Sequence, residues 1–476
     1  MYILSWKIHI VLTLFLCFCL TILRAEKTLT ILQSSDIHAR LDFYPHMGAV
    51  LRNIPENERI YIDCGDTIQG SFAAAQAKGK DFLLPLKLLQ CDVFVPGNHD
   101  FDFGVPTLAR ECTAFPGTVV AGNVSARALP VKPYVMLHKN GLSIAVIGMT
   151  DETLFSRFLF SQEDTPEFHE TTTTLEKILA LPEIHSANLI IFARHNGVHT
   201  RGRNLYEFLP AYPAINLVLC GHTHEELPGI RIGNALIVQP PAEGTGYAEI
   251  RAVFADDGTL LELQSRLVYF SPQSPTDPML RAAVKKLYEP PNAHDLRRLP
   301  PPRNDTSFVR VIAEETAKII RDAADADLAW YAFSTAQESF PAVLDPEQFF
   351  SIMPYEETVI EIAVTKEELR QLWDEILAKK PPHLTVGASS EMPLRRNTAK
   401  ALGDYPLPVP ARPDGKYLVA ISDHLAAGGG SEMPFLRQIV KERGRILQFY
   451  DGTVPLIRDL VWNSLPSMPH SFQGKK

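Results

Sequence analysis

Between Thr28 and Phe270 the chain repeats one pattern, a short apolar run followed by a polar break. The runs are "TLTIL", "RIYIDC", "DVFVP", "GTVVAG", "LSIAVIG", "NLIIFA", "INLVLC", "ALIVQ", "YAEIRAVF" and "LELQSRLVYF". Most are continuous in Val, Ile and Leu. A strand with one wet face would alternate, so these runs suit strands covered on both faces. Helical stretches "FLLPLKLLQ" and "TTTTLEKILALPE" fall between them. The pattern predicts an α/β layered domain with a more antiparallel end. At 476 residues, 46% of them hydrophobic, the chain can bury more than one core, and its length suggests two or three domains. The net charge is −9 and no basic stripe is present, which argues against a nucleic-acid partner.

The texture changes near residue 273. "DPMLRAAVKKLYE" reads as a helix, and "PPNAHDLRRLPPPRND" is too rich in proline for an interior element. We place the first domain at 26–272, a helix and proline-rich linker at 273–305, a second, smaller α+β domain at 306–465 and a tail at 466–476. In the second domain "SFVRVIAEETAKIIRDAA" and "KEELRQLWDEIL" have helical spacing, and "TVIEIAV" and "YLVAIS" read as strands. Tyr331, Phe333 and Phe435 are read as core.

Lys7, an apolar run of 16 residues from Ile8 to Leu23 and Ala25 have the form of an export signal, predicted to be removed after Ala25. The run is shorter than the roughly 20 residues of a spanning helix, so no stable membrane span is expected after cleavage. The expected compartment is periplasmic or extracellular. Beyond Cys17 and Cys19, the mature chain keeps four cysteines. Cys64 and Cys220 end apolar runs as small buried hydrophobes, and Cys91 and Cys112 could pair if the compartment is oxidising. Asn123-Val-Ser and Asn304-Asp-Thr match the N-glycosylation pattern.

Five apolar runs end in clusters of metal-ligating side chains. "TILQSSDIHARLD" carries Asp36 and His38, "YIDCGDTIQGS" carries Asp63 and Asp66, and "VFVPGNHDFDFG" carries Asn98 and His99. "IIFARHNGVH" carries His195, and "LVLCGHTHEE" carries His222 and His224. Open α/β sheets build their sites at the carboxyl ends of strands. Asp, Asn and His suit divalent zinc, manganese, iron or cobalt. Two such ions held about 4 Å apart need a carboxylate between them and typically clamp a phosphoryl group. Gly65, Gly97 and Gly221 allow close backbone approach. Any one cluster could instead cap a helix or form a turn. Five in order, each after a buried run, point to one site.

D-x-H, G-D-x-x-Q-G-S, G-N-H-D-x-D-F-G, a strand-end His and G-H-T-H together resemble the calcineurin-like metallophosphoesterases. More narrowly, they resemble the secreted two-domain 5'-nucleotidase, UDP-sugar hydrolase and 2',3'-cyclic-nucleotide phosphodiesterase family. The resemblance implies a four-layer α/β/β/α catalytic domain followed by a 5'-nucleotidase-type C-terminal domain. It implies two divalent ions: Asp36, His38 and His224 on the first, Asp66 bridging, and Asn98, His195 and His222 on the second. His199 is a rival to His195, but His195 lies nearer the strand end and precedes Asn-Gly. The resemblance also implies a catalytic pair, His99 oriented by Asp102, and attack on a phosphoester by metal-activated hydroxide. No G-x-S-x-G elbow or Walker loop is present. Asp100 has no assigned contact and is read as support for the loop.

The family grips nucleotide with an N-x-G-G-x-R segment and a Phe-bearing glycine loop. Here the matching segment reads "AFSTAQ", with Gln337 in place of Arg, and the loop reads "DHLAAGGGSE", with His424 in place of Phe and Gly430 in place of Asp. Losing Arg removes a bidentate fork for carboxylate or phosphate. Gln337, His424 and Gly429 are the candidate substrate-binding residues. Three readings stay open here. The first is a secreted phosphohydrolase acting on a small phosphoester such as a nucleotide. The second is a relative acting on a non-nucleotide phosphoester or other oxyanion ester, and the third is a non-catalytic binding protein that kept the fold.

Overall fold

A computed structural model describes residues 26–151, 166–199, 204–287, 295–299, 308–333, 341–380, 385–389, 410–428, 433–449 and 453–467. The leader at 1–25, Asn304 and most of the tail lie outside the described residues. The chain divides into two compact units. The first takes residues up to Gln69, from Ala77 to 151 and from Glu167 to 287, and the second takes the rest.

The first unit holds two six-stranded sheets. One is ordered Leu260–Tyr269, Gly246–Phe254, Lys27–Ser34, Arg59–Asp63, Val93–Phe94, Thr118–Val119. The last four strands are parallel. The other is ordered Leu227–Ile232, Ala235–Gln239, Leu217–Leu219, Leu189–Arg194, Leu142–Met149, Tyr134–Lys139, with a parallel centre and antiparallel edges. Arg59–Asp63 and Leu189–Arg194 are buried along their whole length, which is why they read as unbroken apolar runs. Leu29, Ile31, Ile60, Ile62 and Val93 face Ile144, Val146, Ile191, Leu217 and Leu219 in a core between the sheets. Helix Thr171–Leu179 covers the outer face of the second sheet through Leu175 and Ile178. The result is the expected α/β/β/α layering.

Register places the strand ends side by side. Ser34 is level with Asp63, and Asp63 with Phe94. In the second sheet Ala193 is level with both Gly148 and Leu219. The loops leaving these ends therefore emerge together.

Two edge strands, Tyr134–Lys139 and Leu227–Ile232, were absent from the sequence expectation. The first turns into its partner through Asn140-Gly141, with φ of 50° and 69°, the usual chemistry of a tight hairpin. The segment expected to be a linker is only partly irregular. Arg297–Arg298 pairs antiparallel with Val343–Leu344.

The second unit is a five-stranded mixed sheet, ordered Thr385–Ala388, Leu328–Phe333, Tyr417–Ser422, Val359–Val364, Arg445–Ile446. Strand Leu328–Phe333 is buried on both faces. Leu328, Trp330 and Ala332 pack with helices Lys366–Lys379 and Pro434–Arg443, while Ala329, Tyr331 and Phe333 pack with helices Phe308–Ala323 and Ile457–Ser464. Thr365 and Glu368 close a capping box at the start of Lys366–Lys379. Tyr331 and Phe333 are core, and Phe435 packs against it. Among the described residues no helix is long and apolar enough to cross a membrane.

Packing answers two questions that the sequence leaves open. Cys91 and Cys112 are not paired. All four described cysteines are free and buried, and Cys91 Sγ donates to the Val93 carbonyl at 3.2 Å. Asn123 is fully buried, with Nδ2 donating to the Thr150 carbonyl at 2.9 Å and Oδ1 accepting the Thr150 amide at 3.0 Å. A glycan cannot be attached to an amide enclosed in this way. Asn123→Ala removes both bonds and leaves two buried backbone groups without them, so it is expected to lower stability by about 2–4 kcal/mol. Chemical denaturation of the metal-free protein measures this, and a loss below the error of the method would contradict the assignment.

Candidate metal centre

Three of the five loops hold their side chains on backbone that L-residues rarely adopt. Asp36, His38, Asp66, His222 and His224 all have positive φ, from 50° to 73°. Each such residue costs about 1 kcal/mol or more, and it persists only where neighbouring bonds over-determine it. Those bonds are present. Asp36 N donates to the Gly65 carbonyl at 2.7 Å, His38 N to Asp66 at 2.9 Å and Ala39 N to Thr67 at 3.0 Å, joining the first two loops. His222 N lies 3.0 Å from both oxygens of Asp36, and Ser35 Oγ donates to Asp36 Oδ2 at 2.6 Å. Gly97 is required by proximity, because a Cβ there would collide with the Asp66 carboxylate and fall 2.7 Å from His195 Cε1.

Asp100, read from the sequence as loop support with no assigned contact, acquires its partners here. Its buried carboxylate accepts four backbone N–H groups, from Gly97 at 2.7 Å, Asp66 at 2.8 Å, Thr67 at 2.8 Å and Ile68 at 2.9 Å. It fastens the Asp66 turn to the Asn98 loop. Burial, helped by the Asp66 charge, raises its pKa to about 6 despite those donors. Asp63 acts similarly one strand away, accepting from Ser34 Oγ and Thr67 Oγ1 at 2.5 Å and Gly65 N at 3.1 Å, and burial raises it to about 7. A second carboxylate directly after His99, in a loop entered from a buried run, was the available signal.

The ligating atoms form two sets. Asp36, His38 and His224 make one, and Asp66, His195 and His222 the other, with the atoms of each set within 4.8 Å of one another. Asn98 joins the second, its Oδ1 lying 2.8 Å from His222 Nδ1 and 3.1 Å from His195 Nε2. Asp66 faces both sets, with Oδ2 at 3.2 Å from His195 Nε2 and 4.0 Å from His38 Nε2. His38 Nε2 and His224 Nε2 are 3.1 Å apart. Two ring nitrogens at that separation are reconciled by a proton between them or by a cation that takes both lone pairs. Imidazole, carboxylate and carboxamide oxygen suit zinc, manganese, iron or cobalt, so the residues fit divalent ions.

His99 Nδ1 lies 2.7 Å from Asp102 Oδ2, and its backbone N–H donates to Asp66 Oδ1 at 2.7 Å. The pair therefore sits against the residue that faces both donor sets. His199 belongs to neither set; it is exposed and stacks on Tyr206, with centroids 5.5 Å apart. His424 is an exposed residue of the short helix Asp423–Ala426 in the second unit. Gln337 and Gly429 lie outside the described residues.

The proton inventory follows from these charges. Burial opposes a charge on His195, but Asp66 and Asp36 outweigh it and raise its pKa to about 10. Burial also opposes the Asp66 charge, yet His195 and His99 hold it well below the usual carboxylate range. Without ions His195 thus keeps a proton at any pH below about 10, and an ion can use its lone pair only by expelling that proton. Metal uptake at pH 7.5 is expected to release at least one proton, and affinity should fall about tenfold for each pH unit lowered per proton released. Calorimetry in buffers of different ionisation enthalpy measures the release, and uptake without protons would contradict the His195 role.

Residues 29–226, which contain both donor sets, match the family model described as calcineurin-like phosphoesterase. Similar curated proteins include the trifunctional nucleotide phosphoesterase YfkN of Bacillus subtilis, 23% identical over 50% of this chain and 19% of that protein. The snake venom 5'-nucleotidase of Naja atra is 22% identical over 54% and 56% of the two chains, and human 5'-nucleotidase is 22% identical over 54% and 52%. The chain thus spans about half or less of these relatives' lengths. Among solved structures, a 5'-nucleotidase precursor of Thermus thermophilus superposes with a TM-score of 0.65 at 16% identity, covering 92% of this chain and 96% of that one. The sulfate thiohydrolase SoxB of Thermus thermophilus superposes with a TM-score of 0.58 at 14% identity, over 91% and 93%. These likenesses establish the two-domain fold. Residues 29–226, with the Asp and His donors at their strand ends, are thus similar to the calcineurin-like phosphoesterases.

Proposed function

We propose that the protein is an exported phosphohydrolase with two divalent ions, acting on a small phosphoester of the nucleotide class. The observation that carries this reading is Asp66, one carboxylate facing two donor sets and bonded to the backbone of His99. Asp36, His38 and His224 would hold one ion, and Asn98, His195 and His222 the other, with Asp66 shared. When bound, such ions neutralise phosphoryl charge and acidify water at neutral pH.

The chain's own groups supply the rest. Asp102 accepts a hydrogen bond from the Nδ1–H of His99 and fixes the ring. Protonated His99 is then an oriented cation beside the shared carboxylate, placed to stabilise charge that develops on a phosphoryl or leaving-group oxygen. Asp100 holds the Asp66 and Asn98 loops in one register, so the cation and the donor sets keep their spacing. The nucleotide class is supported by relatives named for nucleotide substrates, and export by the charged-then-apolar leader. Gln337 and His424 stand where the family places Arg and Phe, so the group attached to phosphate is held by other contacts than that family uses.

Two substitutions test the roles separately. Asp66→Ala is expected to abolish turnover and to lower bound metal at both sites. His99→Ala is expected to lower kcat by about 10²–10³-fold while metal content stays at the wild-type level. Activity against nucleoside 5'-phosphates, cyclic nucleotides and aryl phosphates with added manganese reads the first, and elemental analysis the second. Near-normal turnover in Asp66→Ala would refute the shared-ligand role, and loss of metal in His99→Ala would make His99 a ligand. Absence of any phosphoester turnover in metal-loaded wild type would refute the reading as a whole.

A further inference from the structure

We propose that Asp151 is a positioning residue for the second donor set, setting which nitrogen of His222 is left to bind an ion. The inference rests on the metal-centre reading above. His222 Nδ1 lies 2.8 Å from Asn98 Oδ1, inside the group formed with His195 and Asp66. Its other nitrogen, Nε2, points away from that group and lies 3.8 Å from Asp151 Oδ2. Asp151 is 1% exposed, and Asn196 Nδ2 contacts its other oxygen, Oδ1, at 3.3 Å. Asn196 is itself tied down, its Oδ1 accepting the Gly197 N–H at 2.9 Å.

The topology makes this arrangement deliberate. Leu142–Met149, Leu189–Arg194 and Leu217–Leu219 are consecutive parallel strands, with Met149 level with Arg194 and Leu219 with Ala193. Their carboxyl ends deliver Asp151, then Asn196, then His222. Asp151 thus lies at a sixth strand end, after "LSIAVIGMT", in a segment with no D-x-H or H-x-H spacing to mark it.

A histidine ligand needs one nitrogen as lone pair and the other as N–H, and the partner of the outer nitrogen decides the tautomer. His195 and His38 turn Nδ1 to backbone carbonyls, Cys64 O at 2.6 Å and Gln69 O at 3.3 Å. His222 instead turns its outer nitrogen to a carboxylate. At 3.8 Å the influence is electrostatic rather than a tight hydrogen bond. A negative charge there favours the proton on Nε2, so that Nδ1 can offer its lone pair to an ion shared with Asn98 and His195. Removing it lets the proton stay on Nδ1, where Asn98 Oδ1 accepts it and the ion is blocked. The effect is confined to one donor set, because His224, His38 and Asp36 make up the other.

The test compares full-length wild type, Asp151→Ala and Asp151→Asn by equilibrium dialysis against manganese with elemental analysis. Thermal unfolding of the metal-free proteins checks that each folds, and ¹⁵N spectra of labelled histidine report the tautomer. In Asp151→Ala one of two manganese sites should weaken by about 10–100-fold, with the other unchanged and His222 shifted out of the Nε2–H form. Asp151→Asn keeps the shape and one acceptor oxygen and should lie between; it decides the matter if Asp151→Ala does not fold. Wild-type affinity at both sites in the variants would overturn the proposal, as would equal weakening of both sites in step with lost stability. Wild type that binds no manganese would overturn the metal-centre reading with it, whereas intact binding in every protein would overturn this inference alone.

Discussion

The centre depends on one buried carboxylate collecting four backbone N–H groups. Asp100 accepts from Gly97, Asp66, Thr67 and Ile68, all within 2.9 Å. Those N–H groups belong to tight turns and have no ladder partner, so an acceptor must come from a side chain or the turns open. With Asp100 in place, the Asp66 turn keeps its left-handed residue and the Asn98 loop lies against it. The requirement for glycine at 97 follows from the same closeness. Each constraint passes to the next: the acceptor holds the turns, the turns bring the carboxylates together, and the carboxylates set the charge of the site.

That charge explains why the fold needs cations here. Asp36, Asp63, Asp66, Asp100 and Asp151 are all buried around one set of strand ends. Burial alone raises carboxyl pKa values, as it does for Asp63 and Asp100. Asp66 escapes that fate only through imidazolium neighbours, His195 first. In the proposed centre, protons on histidine would do in the absence of ions what divalent cations would do in their presence. Ion binding would then replace one way of neutralising these carboxylates by another, and proton release on metal uptake would follow from that exchange.

Much of this was legible in the sequence because the chemistry sits beside the strongest local signal. Continuous apolar runs mark strands buried on both faces, and Asp36, Asn98, His195 and His222 directly follow such runs. What the sequence left without assigned contacts acts through groups distant in the chain. Asp100 matters through backbone groups of another loop, 32 to 34 positions earlier for Asp66, Thr67 and Ile68. Asp151 matters through His222, two strands away in the sheet. The hairpin at Asn140-Gly141 did carry a turn signal, but its edge strand Tyr134–Lys139 is only partly buried and so lacks the unbroken apolar run. Asn123 shows the opposite error: a three-residue pattern matched, while burial, which the pattern does not encode, excluded it.

The two units therefore carry separable information about a substrate. In the proposed reaction the phosphoryl end meets groups from the first unit alone: the Asp66 donor sets and His99. Where the resembled family has Arg this sequence has Gln337, which lacks the charge and the bidentate fork of a guanidinium. The second unit has a core of its own among the described residues. Its core rests on Trp330 against Trp373, with centroids 5.2 Å apart, and on the buried faces of one sheet. In the proposed function the metal chemistry rests on the strand ends of the first unit, and the sequence differences at Gln337 and His424 bear on recognition rather than on bond cleavage.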